Sequence, residues 1–373
     1  MDYEIRRATS ADYQNLIDFA TMVFYVDFPY RLPKLYAGHP EMAPCHLLVT
    51  EEERIKAMVG SFPLDLRVGD TRLNVRGIGT VSVHPYCRGK GYMKLLLKQL
   101  MDEARGEGAD LVCLGGQRQR YEYFGFGQAA AQLSFSVNPT NRRHCKAVST
   151  QEIQLLPLDE NGEYLGQCQK LHDSQTVAAG REISRFGEIL HTWDSSGWVI
   201  LENGEFLGYA SISDQGTSVQ ELILSDYHSA LKVIFRIVEH CGRNVDFLPT
   251  WEQTELIRAL NCVAEQSVIR NGEMIDVLNY PRVIEAYLGL KARRCGILDG
   301  RYAIEVKEAG RFAISAENGT VQVSETSEAP DVSLPHLQMM AHLFAPSSAP
   351  LYRTELERSW FPIPLILPSA DMV

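Results

Sequence analysis

The stretch Val81-Ser82-Val83-His84-Pro85-Tyr86-Cys87-Arg88-Gly89-Lys90-Gly91-Tyr92-Met93-Lys94 decides how this chain is read. An alternating apolar run enters a short basic turn with two glycines, and a helical pattern follows at once. Met93, Leu96, Leu97, Leu100, Met101 and Ala104 share one helical face, and Gly106 and Gly108 stop the helix. The first N–H groups of a helix have no acceptor, and its dipole places partial positive charge beside them. Gly89 and Gly91 let the backbone close on an anion, while Arg88 and Lys90 add charge. Strand, Arg/Gly turn and helix in this order make a pocket for a pyrophosphate. There is no G-x-x-x-x-G-K-[ST] loop and no G-x-G-x-x-G after a strand, which argues against a P-loop or a dinucleotide fold.

Working outward, Val75, Ile78, Val81 and Val83 predict a strand over residues 73–83. Gly77 and Gly79 inside it predict a bulge or a close backbone approach. Leu111-Val112-Cys113-Leu114-Gly115 reads as a short buried strand, and Tyr121-Glu122-Tyr123-Phe124-Gly125-Phe126-Gly127 follows it. Strands are also expected at 3–7, 46–50, 55–66 and 128–137. Ser10 is the expected cap of a helix through Tyr13, Leu16, Ile17 and Ala20. Residues 24–40 are rich in aromatics and prolines and read as irregular.

A linker near Asn138-Pro139-Thr140-Asn141 opens a second unit. It holds a hairpin turning at Asn203-Gly204, a strand at 221–224 and a helix at 229–240. This repeats the order of the first unit, but Ser225-Asp226-Tyr227-His228-Ser229 replaces the Arg/Gly turn, and Asp226 would repel a pyrophosphate. A third unit, from about residue 288, has strands at 297–306 and 311–324 with an Asn318-Gly319 turn. Helices are expected near 334–344 and 351–357, before a proline-rich apolar tail. The expected domains are therefore 1–140, 141–287 and 288–373.

At 373 residues the chain exceeds one ordinary core. A net charge of −11 argues against nucleic acid as a partner and favours cationic substrates. No apolar run reaches the ~18–20 residues that span a bilayer, so no membrane span is expected. Met1-Asp2-Tyr3-Glu4 lacks the marks of a signal peptide. Eight scattered cysteines without a C-x-x-C fit reduced thiols in a cytoplasmic protein and no metal site.

The turn from Arg88 to Met93 resembles the R/Q-x-x-G-x-G/A motif of GNAT N-acetyltransferases, with Met93 where Gly or Ala is usual. Tyr121-x-x-Phe124-Gly125-Phe126-Gly127 and the segment Asp276-Val277-Leu278-Asn279-Tyr280-Pro281-Arg282-Val283 resemble the Eis-like members of that family. Retention of Gly91 with Lys94 three positions on also fits these members. The resemblance implies an α/β and α+β chain. It comprises a catalytic GNAT domain, a degenerate second GNAT domain and a sterol-carrier-like α+β domain, in a homo-oligomer that is commonly a hexamer. It implies acetyl-CoA as co-substrate, bound by Val81, Ser82, Val83 and the segment Arg88, Gly89, Lys90, Gly91, Tyr92 and Met93. It further implies an amine acceptor of aminoglycoside type, Tyr121 as general acid and the Val373 carboxylate, brought back by the tail, as general base. Asp27, Phe24 and Phe28 are the expected acceptor-binding residues in an acidic, roomy pocket. Protein lysine or a polyamine is the alternative acceptor, and a non-catalytic acyl-CoA or lipid binder the alternative function.

The chemistry needs such groups. An amine with pKa near ~10.4 must lose a proton before it attacks a thioester, at a cost of about 4–5 kcal/mol at neutral pH. A carboxylate can accept that proton. A phenol with pKa of about 10 stays protonated and can donate to the leaving thiolate.

Overall fold

The computed structural model describes residues 3–373. Its first sheet has eight strands. In spatial order they are Glu4–Arg7, His46–Glu51, Arg54–Val68, Thr71–Val83, Leu111–Leu114, Met274–Val277 and Gly127–Gln128, with Val177–Ala179 paired to the end of Arg54–Val68. The helix Tyr92–Gly106 lays Leu96, Leu97, Leu100, Met101 and Ala104 on Leu47, Val49, Ala57 and Val59 of this sheet. Each such large side chain contributes about 1.5–3 kcal/mol by leaving water. The preceding helix, Tyr13–Phe24, follows a short turn capped by Thr9 rather than Ser10. The Asp12 carboxylate accepts the Thr9 N–H at 2.8 Å and pairs with Arg6.

The single strand expected over 128–137 is divided. Gly127–Gln128 stays in the first sheet, whereas Ala131–Val137 enters the second, between Gln266–Asn271 and Val245–Phe247. In exchange, Met274–Val277 returns to the first sheet and pairs with both Leu111–Leu114 and Gly127–Gln128. Two chain segments thus cross side by side, and the Gly272 N–H donates to the Ala130 carbonyl at 3.0 Å. Small residues permit the approach: a Cβ on Gly272 would stand 3.3 Å from that of Ala130. Sheet membership therefore changes between residues 128 and 131 and between 271 and 274 rather than at 140, and residue 287 falls inside the helix Tyr280–Cys295.

The second sheet has seven strands and carries the helix Ala230–Cys241. Its hairpin turns at Asn203 (φ 53°) and Gly204 (φ 85°), the positive pair that a tight two-residue turn demands. The third sheet has four strands, Thr320–Glu325, Gly310–Glu317, Gly300–Val306 and Val332–Leu334. The helix Tyr280–Cys295 joins first and third sheets in one core, which includes Val75, Ile275, Ile284, Ile304 and Ile314.

The last helix is Glu355–Trp360, a few residues later than expected, because Thr354 caps it through the Glu357 N–H. Beyond it the tail runs back through the molecule. Trp360, Phe361, Ile363 and Leu365 are buried. Lys291 donates to the carbonyls of Trp360 and Pro362, and the Tyr287 hydroxyl donates to that of Ile366 at 2.6 Å. Among the described residues no helix is long and apolar enough to cross a membrane.

Candidate active site

The Arg/Gly turn is built for an anion. Gly89 (φ 85°) and Gly91 (φ 83°) both lie in the left-handed region that favours glycine, and Gly91 is the N-cap of Tyr92–Gly106. The open N–H groups of that helix start face the turn. Arg88 is exposed there. Lys90 is committed elsewhere: its ammonium pairs with Glu51 at 2.8 Å, and Tyr92 donates its hydroxyl to the same carboxylate. Lys94 lies over the Tyr123 ring at 4.8 Å.

Above the turn the sheet opens. Thr71–Val83 pairs in parallel with Leu111–Leu114 only at Val75, Arg76 and Gly77, and beyond Gly77 the two strands part. On its other side the ladder shifts between Met58 and Gly60, leaving Thr80 and Val81 opposite the single residue Val59. Thr80 takes φ 49°, strained for a β-branched residue. The Tyr36 hydroxyl, paired with His46, donates to Thr80 Oγ1 at 3.2 Å and holds it there. Val81 faces the resulting cavity. Ser82 instead donates to the Thr80 carbonyl, and Val83 packs towards the motif helix.

The cavity measures about 960 Å³ and touches all three sheets' domains. Tyr121, at the end of the helical turn Arg118–Tyr121, lines it and is 7 % exposed. Its ring covers Gly116, where a Cβ would stand 2.7 Å from Cε2. Burial pushes the phenol above its ordinary pKa, so it is a proton donor at neutral pH. Phe24 and Phe28 line the cavity with ring centroids 5.4 Å apart. Asp27 does not line it: its exposed carboxylate accepts the Tyr30 N–H at 3.2 Å and caps the short helix Phe28–Arg31. His84 accepts the Tyr86 N–H and caps the next turn.

Val373 also lines the cavity. A Cβ on Gly77 would stand 2.7 Å from Val373 Cγ2 and one on Gly79 3.3 Å, so these glycines make room for the tail. The tail is held by two charges that no local motif announces. Lys34, fully buried, donates to the carbonyls of Ala370 at 2.8 Å and Met372 at 2.7 Å, and burial lowers its pKa to about 7. Asp371 forms a two-bond pair with Arg181, at 3.0 and 2.7 Å. The same guanidinium grips Glu221, and although burial opposes it, that charge holds Glu221 down to about 2. The charge of Asp371 is therefore spent on Arg181 and not on the cavity.

The lining is largely apolar rather than acidic. Among the described residues, Glu273, from the crossing segment, is its one side-chain carboxylate, and Arg31 its one side-chain cation. In the second sheet's domain the start of Ala230–Cys241 is already taken by a carboxylate. Glu202 accepts from the Ser229 hydroxyl at 2.6 Å and from Lys232 at 2.9 Å, which excludes a pyrophosphate by charge.

Residues 4–129 match the acetyltransferase (GNAT) domain family. Three solved structures share the fold of the longer chain. A GCN5-related N-acetyltransferase from Anabaena variabilis aligns over 100 % of both chains at 17 % identity, with a TM-score of 0.68. One from Kribbella flavida covers 91 % of this chain and 89 % of its own at 16 % identity (TM-score 0.65). Eis1 from Mycobacterium abscessus covers the same shares at 15 % identity (TM-score 0.62). Nothing among the curated proteins matches. The N-terminal third of the chain is thus a GNAT acetyltransferase domain, and the chain is an acetyl-CoA-dependent acyltransferase.

Proposed function

We propose that this acyltransferase moves the acetyl group of acetyl-CoA to a primary amine held in the shared cavity, with Tyr121 as general acid and the Val373 carboxylate as general base. The observation that carries it is the meeting of Tyr121 and Val373 in one cavity at the divergence of two strands, though they lie far apart in the chain.

The turn from Arg88 to Met93 takes the pyrophosphate, and the thioester arm enters the opening between the strands. The Val81 N–H, free of a ladder partner at the bulge, is the donor for the thioester oxygen. The Val373 carboxylate takes a proton from the bound ammonium. The neutral nitrogen attacks the thioester carbon, a C–N bond forms and the C–S bond breaks. Tyr121 gives its proton to the departing sulfur, and the second proton that the nitrogen sheds as the amide forms restores the phenol. An aminoglycoside-type acceptor, a polyamine and a lysine peptide are the acceptor classes to compare.

Tyr121→Phe should lower kcat by about 10²–10⁴ while leaving acetyl-CoA affinity unchanged. A chain extended by a few glycines past Val373 should lose turnover in the same way, since an amide cannot act as the base. Full activity in both variants would remove both assignments.

A further inference from the structure

Glu273 stands alone in the cavity. It lies between the strands Gln266–Asn271 and Met274–Val277, where the chain crosses from the second sheet to the first. Its carboxylate rests on the backbone at the end of Leu111–Leu114: a Cβ on Gly115 would be 3.0 Å from Oε2. The next residue, Gly116, is covered by the Tyr121 ring. Carboxylate and phenol therefore flank one Gly-Gly step, beside the place where the thioester must react. Among the described residues Glu273 has neither a hydrogen bond nor an ion pair, and burial alone raises its pKa.

The rest of the lining offers little to further cations. Arg31, the other charged side chain, is neutralised by Asp194 at 2.6 Å. Trp193, Trp251, Leu248 and Ile366 present apolar surface, and Gln132 and Gln220 neutral amides. Each additional ammonium brought into such a cavity without a carboxylate pays a desolvation cost of several kcal/mol. One ammonium with an apolar body pays no such cost.

We propose that Glu273 is the binding residue for the acceptor's ammonium, and that the acceptor is an amphipathic amine with a single cationic head and an apolar or aromatic body, not a polycation. The assignment rests on the acetyl transfer proposed above and names its acceptor class. Glu273 holds and aims the ammonium, and the Val373 carboxylate removes its proton.

The test uses the full chain with 2-phenylethylamine, spermidine and kanamycin as probes. CoA release is measured by a thiol-reactive dye and amine binding by calorimetry with CoA present. The wild type should favour 2-phenylethylamine in kcat/KM. Glu273→Gln should raise its KM by about tenfold or more, with acetyl-CoA affinity unchanged and partial recovery in Glu273→Asp. Preference for kanamycin or spermidine, or an unchanged KM in Glu273→Gln, overturns this assignment and leaves acetyl transfer standing. Binding of 2-phenylethylamine that depends on Glu273 but gives no turnover overturns the transfer and leaves the site. Neither binding nor turnover overturns both.

Discussion

At the scale of single residues, two basic side chains that look alike in the sequence do different work. Arg88 is exposed on the anion turn, whereas Lys90 is bound to Glu51. Arg88→Ala should therefore raise the KM for acetyl-CoA by about tenfold, the worth of one charge-assisted hydrogen bond. Lys90→Ala should change it by less than about twofold; steady-state kinetics at low salt separates the two. The turn geometry at Gly89 and Gly91 and the place of Tyr121 in the cavity were legible because their signals are local: glycines just before a helix, and a fixed aromatic spacing. Asp27 stands outside the cavity lining for an equally local reason. Asp before Phe28-Pro29 is a helix cap, and that role keeps its carboxylate out of the cavity. Glu273, Lys34 and Arg181 had no local signature, since each acquires its partners or its setting from distant chain; Arg181 takes Glu221 and Asp371, 40 and 190 residues on.

At the scale of elements, the helix His336–Phe344 is fastened to the first sheet by one imidazole. His336 Nε2 meets the Asp276 carboxylate at 2.9 Å and the Gly125 carbonyl at 3.0 Å. Burial pulls the imidazolium down, but Asp276 and Gly125 outweigh it and hold the pKa above its ordinary 6.5. A base whose pKa rises on folding lends stability below its unfolded pKa and loses it as pH climbs through the folded one. The stability difference between wild type and His336→Asn should therefore be greatest near pH 6 and shrink as pH rises above it, in urea unfolding at several pH values. Most strands and helices were legible from periodicity. The exchange of Ala131–Val137 for Met274–Val277 was not, because an apolar strand pattern does not say which sheet will take it.

At the scale of the whole molecule, the cavity exists because three sheets and a returning tail are locked together. The lock is Arg181, with no exposed side-chain surface, between Asp371 and Glu221. Removing Asp371 leaves Arg181 still paired with Glu221, so the cost is that of the lost buried hydrogen bonds, about 1–3 kcal/mol, rather than of an uncompensated charge. Asp371→Asn should show that loss in urea unfolding, together with faster proteolysis of the tail and lower turnover. The tail's apolar, proline-rich composition announced an extended buried path, but its hooks on Lys34, Tyr287, Lys291 and Arg181 belong to tertiary structure alone.

The most direct measurement is the amine-dependent release of CoA from acetyl-CoA by the purified chain, paired with mass detection of the N-acetylated 2-phenylethylamine. CoA and acetylated amine should appear in equal amounts, and Tyr121→Phe should slow both by at least about a hundredfold. Saturable acetyl-CoA binding, with neither CoA release nor acetylated product for any primary amine tested, would contradict acetyl transfer in this cavity.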